Sequence, residues 1–125
     1  MSTAGQIMRY QNPNAVIGEE NNAVCMIEDW SDPDGRMYRM EYQSTPDGRH
    51  ALAYCLSNPW DRQRPNAGMG YAESHVASDG LLCMGTRHVK ELKSSPYDIE
   101  TVISRARYWC TGFSVLKETG EFPQL

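Results

Sequence analysis

No apolar run in this sequence approaches the roughly 20 residues that a membrane-spanning helix needs. The first residues, Met1-Ser2-Thr3-Ala4-Gly5-Gln6, carry none of the apolar core of a signal peptide, and a cytoplasmic protein is expected. There is no excess of positive charge either. Twelve Lys and Arg face sixteen Asp and Glu, for a net charge of −4. The basic residues are scattered and form no stripe, which argues against a nucleic-acid partner. Internal repeats and low-complexity tracts are absent. Four cysteines (Cys25, Cys55, Cys83, Cys110) lie at wide, irregular spacings; without a secretion signal this points to thiols and not to bridges. The spacing H-x7-C-x4-H from His75 through Cys83 to His88 matches none of the usual close zinc-ligand pairs, even with Cys110 added. Neither a metal nor a cofactor is expected.

What is present is a globular balance. Hydrophobic residues make up 40% of the 125 and charged residues 22%, enough for one domain with its own core. Residues 1–22 are polar and read as an N-terminal arm, with Ile7, Met8 and Tyr10 able to dock it; residues 23–125 read as the domain. Ala23–Trp30, Met37–Tyr42 and Ala51–Leu56 have the composition or alternation of strands. Asp32-Pro33-Asp34-Gly35 and Thr45-Pro46-Asp47-Gly48 are turns between them. An antiparallel meander is expected. Residues 57–74, with Pro59, Pro65 and glycines at 68 and 70, form an irregular loop of the kind that often carries function. Ser95-Pro96-Tyr97-Asp98 then starts a helix in which Ile99, Val102, Ile103, Ala106, Trp109, Cys110, Phe113 and Leu116 recur at helical spacing. Ser95 is the expected cap, and Gly120 the expected stop. Gly112 inside the helix marks either close packing or a weak point. The fold class is α+β: a β-meander, an active-site loop, and a long C-terminal helix packed on the sheet.

The run His75-Val76-Ala77-Ser78-Asp79-Gly80-Leu81-Leu82-Cys83-Met84-Gly85 lies between meander and helix. Cys83 is the one cysteine outside a periodic apolar segment, so it can sit at a surface. The other three read as core, as does the Tyr108-Trp109 pair. The competing reading of Cys83 is a small buried hydrophobe. Trp60, beside Pro59, is either a lid on the core or an anchor for a partner. Asp29, Asp32 and Asp34 read as a solvated turn, since calcium needs denser oxygen ligands.

The order of these motifs resembles the ubiquitin-conjugating enzymes, in particular compact bacterial relatives encoded beside activating enzymes in conjugation or antiphage defence operons. The matching residues are His75, Asp79-Gly80, Cys83, Tyr108-Trp109 and Thr119-Gly120-Glu121-Phe122-Pro123, within residues 36–125. The eukaryotic His-Pro-Asn triplet is replaced by Ser74-His75-Val76, so no asparagine can be assigned to an oxyanion, and the family's usual N-terminal helix is hard to find in residues 1–22. The resemblance implies that Cys83 accepts the C-terminus of a ubiquitin-like or other defence protein as a thioester from an activating-enzyme-like partner. It then passes the acyl group to an amine.

A thiol suits this relay because a thioester is activated toward amines yet survives briefly in water. His75 can orient the loop or assist the thiol. Asp79 and His88 are the sequence-near groups that could deprotonate the amine. Backbone N–H groups around Gly80–Gly85 could serve a tetrahedral intermediate. Two alternatives remain open. One is a non-catalytic binding module of the same fold, which the missing triplet favours. The other is an unrelated cysteine hydrolase with His75 or His88 as base.

Overall fold

Turn chemistry cuts the front of the chain into strands. The computed structural model describes residues 1–60, 74–77, 79–84 and 91–123. Strands β1 (Val16–Glu20), β2 (Ala23–Ser31), β3 (Met37–Ser44) and β4 (Ala51–Ser57) form one antiparallel sheet in the order β1-β2-β3-β4. The two Pro-Asp-Gly turns close as their sequences predict. Gly35 and Gly48 take φ of 85° and 79°, and their N–H groups donate to Asp32 and Thr45 carbonyls, positions where a Cβ would be strained.

Within residues 1–22, read as a polar arm, two regular elements form. Thr3–Gln11 is helix α1, capped by the Ser2 hydroxyl, which accepts from the Gly5 N–H. β1 follows as an edge strand. The signal for β1 lies in Asn21 and Asn22, with φ of 52° and 61°. Two consecutive left-handed residues make a two-residue hairpin turn, and asparagine tolerates that region.

The second helix, α2 (Ile99–Thr119), crosses the inner face of the sheet. Val24, Met26, Tyr38, Met40, Tyr42, Ala53 and Cys55 from the strands meet Val102, Ile103, Ala106, Trp109, Cys110 and Phe113 from α2 in one core. The helix begins later than expected. Asp98, not Ser95, caps it by accepting the Thr101 N–H at 2.8 Å. Ser95 is buried and its hydroxyl donates to the Ala51 carbonyl at 2.6 Å, so it ties the approach to α2 onto β4. Gly120 ends the helix with φ 87°, as its position predicts.

Three other expectations change. Cys25 points to the outer face of the sheet, half-buried, and donates to Glu41 Oε2 at 3.2 Å. Tyr108 is 45% exposed, whereas Trp109 is buried. Asp32 is buried instead of solvated, because its carboxylate accepts from Ser114 Oγ at 2.6 Å and from the Asp34 and Arg36 amides. Among the described residues, no helix is long and apolar enough to cross a membrane.

Candidate active site

Residues 75–77 and 79–83 pair as the arms of a small hairpin, and the backbone explains why. Val76 and Leu82 pair as an antiparallel bridge. The Ala77 N–H donates to Leu81 O, and the Gly80 N–H donates back to Ala77 O, both at 2.9 Å. Gly80 takes φ 91°, and Asp79 Oδ1 accepts the Leu81 N–H at 3.0 Å, an Asx-turn that shapes the tip. The returning arm then docks on β4: Cys55 N–H donates to Gly80 O at 2.8 Å and Leu82 N–H to Ala53 O at 2.9 Å. The hairpin therefore extends the sheet beyond β4, and buried Leu81 and Leu82 hold it there.

This geometry brings His75 and Cys83 together at the open end. The Cys83 N–H donates to the His75 carbonyl at 2.9 Å. Both residues are half-buried, so the thiol lies neither in the core nor on a loose loop. Asp79 sits at the opposite end, in the tip. Its carboxylate serves the turn, and the hairpin separates it from Cys83. His88 lies outside the described residues, as does Gly85. The amides from Gly80 to Cys83, expected as donors for an oxyanion, are all engaged. They bind Ala77 O, Asp79 Oδ1, Ala53 O and His75 O in turn.

Three contacts that the sequence did not announce brace the hairpin on α2 and on the chain just past it. Trp109 Nε1 donates to Ser74 O at 2.9 Å, just before His75. The His75 ring meets Phe122 edge-on, with centroids 4.6 Å apart. Arg105 stacks over Tyr97 at 4.3 Å and its Nη1 donates to Met84 O, just after Cys83. His75 itself has φ 58°, a left-handed conformation that residues with a Cβ adopt at a cost of about 1–2 kcal/mol. A strained backbone between fixed anchors is a feature of functional sites.

Burial and neighbouring carboxylates act on two of the other thiols. Burial, then Glu41 as hydrogen-bond acceptor and negative neighbour, pushes Cys25 up to about 12. Burial, with Cys55, Glu28 and Asp32 nearby, pushes Cys110 well above the ordinary thiol range. Both stay protonated at neutral pH and are poor nucleophiles. Cys55 is fully buried. Trp60 is 40% exposed, stands edge-on over Phe113 at 6.1 Å and lies under the Arg36 guanidinium at 5.4 Å. It roofs the core and still offers part of its ring to the surface. Among the described residues, no three His, Cys, Asp or Glu side chains converge as metal ligands.

Comparisons with protein-family models, with curated proteins and with solved structures find no match for this chain.

Proposed function

We propose that this protein is a ubiquitin-conjugating-enzyme-like acyl carrier with Cys83 as its nucleophile. The observation that carries the reading is the placement of Cys83. It lies half-exposed at the mouth of a hairpin that extends a four-stranded meander and is braced on the C-terminal helix. Helix α1 ahead of the meander supports the same reading, because the resemblance includes an N-terminal helix that the sequence alone did not reveal.

In this reading the Cys83 thiolate attacks the carbonyl carbon of a thioester on an activating-enzyme-like partner. A new C–S bond forms, the partner's C–S bond breaks, and the partner's thiolate leaves. An acceptor amine then attacks the same carbon. The C–N bond forms, the Cys83 thiolate leaves, and the proton lost by the amine passes to a base. The donor is the C-terminus of a ubiquitin-like or other defence protein. ATP is consumed by the activating partner and this chain needs no cofactor. Asp79 is a poor choice of base, since it serves the hairpin tip. His75 is nearer, and its main contribution is to hold the Cys83 backbone.

The second reading is a binding module of the same fold, favoured by Ser74-His75-Val76 in place of the triplet and by the exposed part of Trp60. One experiment separates the two. The chain is incubated with the activating partner encoded beside it, ATP and the donor protein, then chased with free lysine. A carrier gives an adduct that reductant removes and lysine discharges. A binding module co-elutes with the partners and forms no covalent species.

A further inference from the structure

We infer that Phe122 is a positioning residue for Cys83 and acts through His75. The inference rests on the acyl-carrier reading for its purpose, but its geometry stands alone. Past Gly120 the chain turns back along α2. The Glu121 N–H donates to Thr119 Oγ1 at 3.3 Å, and Thr119 Oγ1 in turn donates to Val115 O at 2.8 Å. This returns the Phe122 ring to the helix about two turns earlier, at Gly112. A Cβ on Gly112 would lie 2.7 Å from Phe122 Cε1, so the ring occupies the place of the missing side chain. Glycine weakens a helix interior, and here the notch it leaves is filled by one ring.

The same ring meets the His75 ring, with centroids 4.6 Å apart and an interplanar angle of 61°. His75 holds φ 58°, and its carbonyl accepts the Cys83 N–H at 2.9 Å. The path is short and each link is a contact: Gly112 seats Phe122, Phe122 fixes His75 in a strained conformation, and His75 fixes the Cys83 backbone. A left-handed residue relaxes unless its surroundings hold it. One residue before His75, Trp109 Nε1 holds the Ser74 carbonyl. Removing the ring therefore frees His75 to relax between that anchor and the Val76–Leu82 bridge, and the Cys83 thiol moves with it.

The test uses the full chain and no partner. Cys83 is alkylated with iodoacetamide from about pH 6 to about pH 10, with site-resolved mass spectrometry and a melting curve alongside, because the rate follows the thiolate. The variants are Phe122→Ala, Phe122→Leu, Gly112→Ala, His75→Gly and the pair His75→Gly/Phe122→Ala. Phe122→Ala and Gly112→Ala are expected to change the Cys83 rate about 2- to 10-fold and to displace its pH midpoint, the range an aromatic pair can bias. Phe122→Leu, which keeps apolar volume, falls between them and wild type and covers a failure of the alanine variant to fold. On the His75→Gly background, where φ above zero carries no strain, Phe122→Ala has no further effect on Cys83. The inference is overturned if Phe122→Ala lowers the melting temperature and leaves the Cys83 profile as in wild type. It is also overturned if the Phe122→Ala effect persists in full without the His75 side chain. Neither outcome bears on thioester formation, and a missing adduct in the partner assay leaves the labelling result intact.

Discussion

Arg107 donates to both oxygens of Glu28, from Nη2 to Oε1 at 2.7 Å and from Nε to Oε2 at 3.1 Å. The pair joins α2 to β2. Tyr42 Oη donates to Glu28 Oε2 at 2.6 Å and Asn12 Nδ2 to Oε1 at 2.9 Å, so the carboxylate is fully satisfied. Arg107 also reaches the Gln11 carbonyl at 3.3 Å and lies over the Trp30 ring at 4.1 Å. One half-buried cation thus ties α1, the sheet and α2 together.

Arg107→Ala leaves a buried carboxylate without its cation, and stability is expected to fall by about 3 kcal/mol. Arg107→Met combined with Glu28→Gln recovers part of that loss, because a neutral amide at 28 still accepts from Tyr42 while no charge is left unpaired. Urea unfolding of the three proteins measures both. Equal losses in the single and double variants would contradict this account.

The same pair gives a pH dependence. Burial alone would raise the Glu28 carboxyl, but the hydrogen bonds from Arg107, Tyr42 and Asn12 outweigh it and hold the group below its ordinary value of 4.5. A carboxyl lowered in the folded state stabilises it above the unfolded value and loses that contribution as pH falls through the folded value. Asp32 and Asp47 are lowered too, so the difference between proteins is the readout. Glu28→Gln is expected to show a flatter stability curve than wild type below about pH 4.5, with the gap closing as acid is added.

Ser114 bridges two buried groups: its hydroxyl donates to Asp32 Oδ2 at 2.6 Å and lies 2.6 Å from Tyr38 Oη. Ser114→Ala takes one hydrogen bond from each partner, although Asp32 keeps the Asp34 and Arg36 amides, and a loss of about 1–3 kcal/mol is expected. Tyr38→Phe removes only one partner of Ser114, whose bond to Asp32 remains, and should cost less. Thermal unfolding of the two variants gives the ranking.

Gly112→Ala tests the notch on α2 through stability alone. Alanine favours a helix interior by about 1 kcal/mol, yet here its methyl overlaps the Phe122 ring. The substitution is expected to destabilise wild type and to stabilise the Phe122→Ala protein. A stabilising effect in both backgrounds would show that the ring is not seated on Gly112.

The legible parts of this fold were those where local chemistry decides. The two Pro-Asp-Gly turns bound three strands whose observed limits lie within two residues of their alternation pattern, and Gly120 stops α2 where the pattern ends. The missed parts depend on partners far away in sequence. β1 has an exposed, unremarkable composition and exists because β2 offers it an edge across Asn21-Asn22. Ser95 has the credentials of a cap, but the Ala51 carbonyl claims its hydroxyl. Asp32 looks like turn surface until Ser114, 82 residues later, reaches it.

The site follows the same division. The Asp79-Gly80 turn and the pairing of His75 with Cys83 are local, and the motif's spacing encodes them. Of the oxyanion donors expected around Gly80–Gly85, the amides of Gly80 to Cys83 are taken by Ala77 O, Asp79 Oδ1, Ala53 O and His75 O, which the motif does not reveal. Phe122 and Gly112 each left a sign, an aromatic residue past the helix stop and a glycine inside it. Only the fold shows that the two signs concern one contact.

The most direct test of the central claim is the intact mass, under non-reducing conditions, of the chain co-produced with the genes adjacent to its own. Wild type, Cys83→Ser and Cys83→Ala are compared. The account predicts a reductant-labile adduct on wild type, a reductant-stable ester of matching donor mass on the serine variant, and the bare mass for alanine. With the partners shown to be active, a bare mass for all three proteins, or the same adduct on the alanine variant, would contradict it.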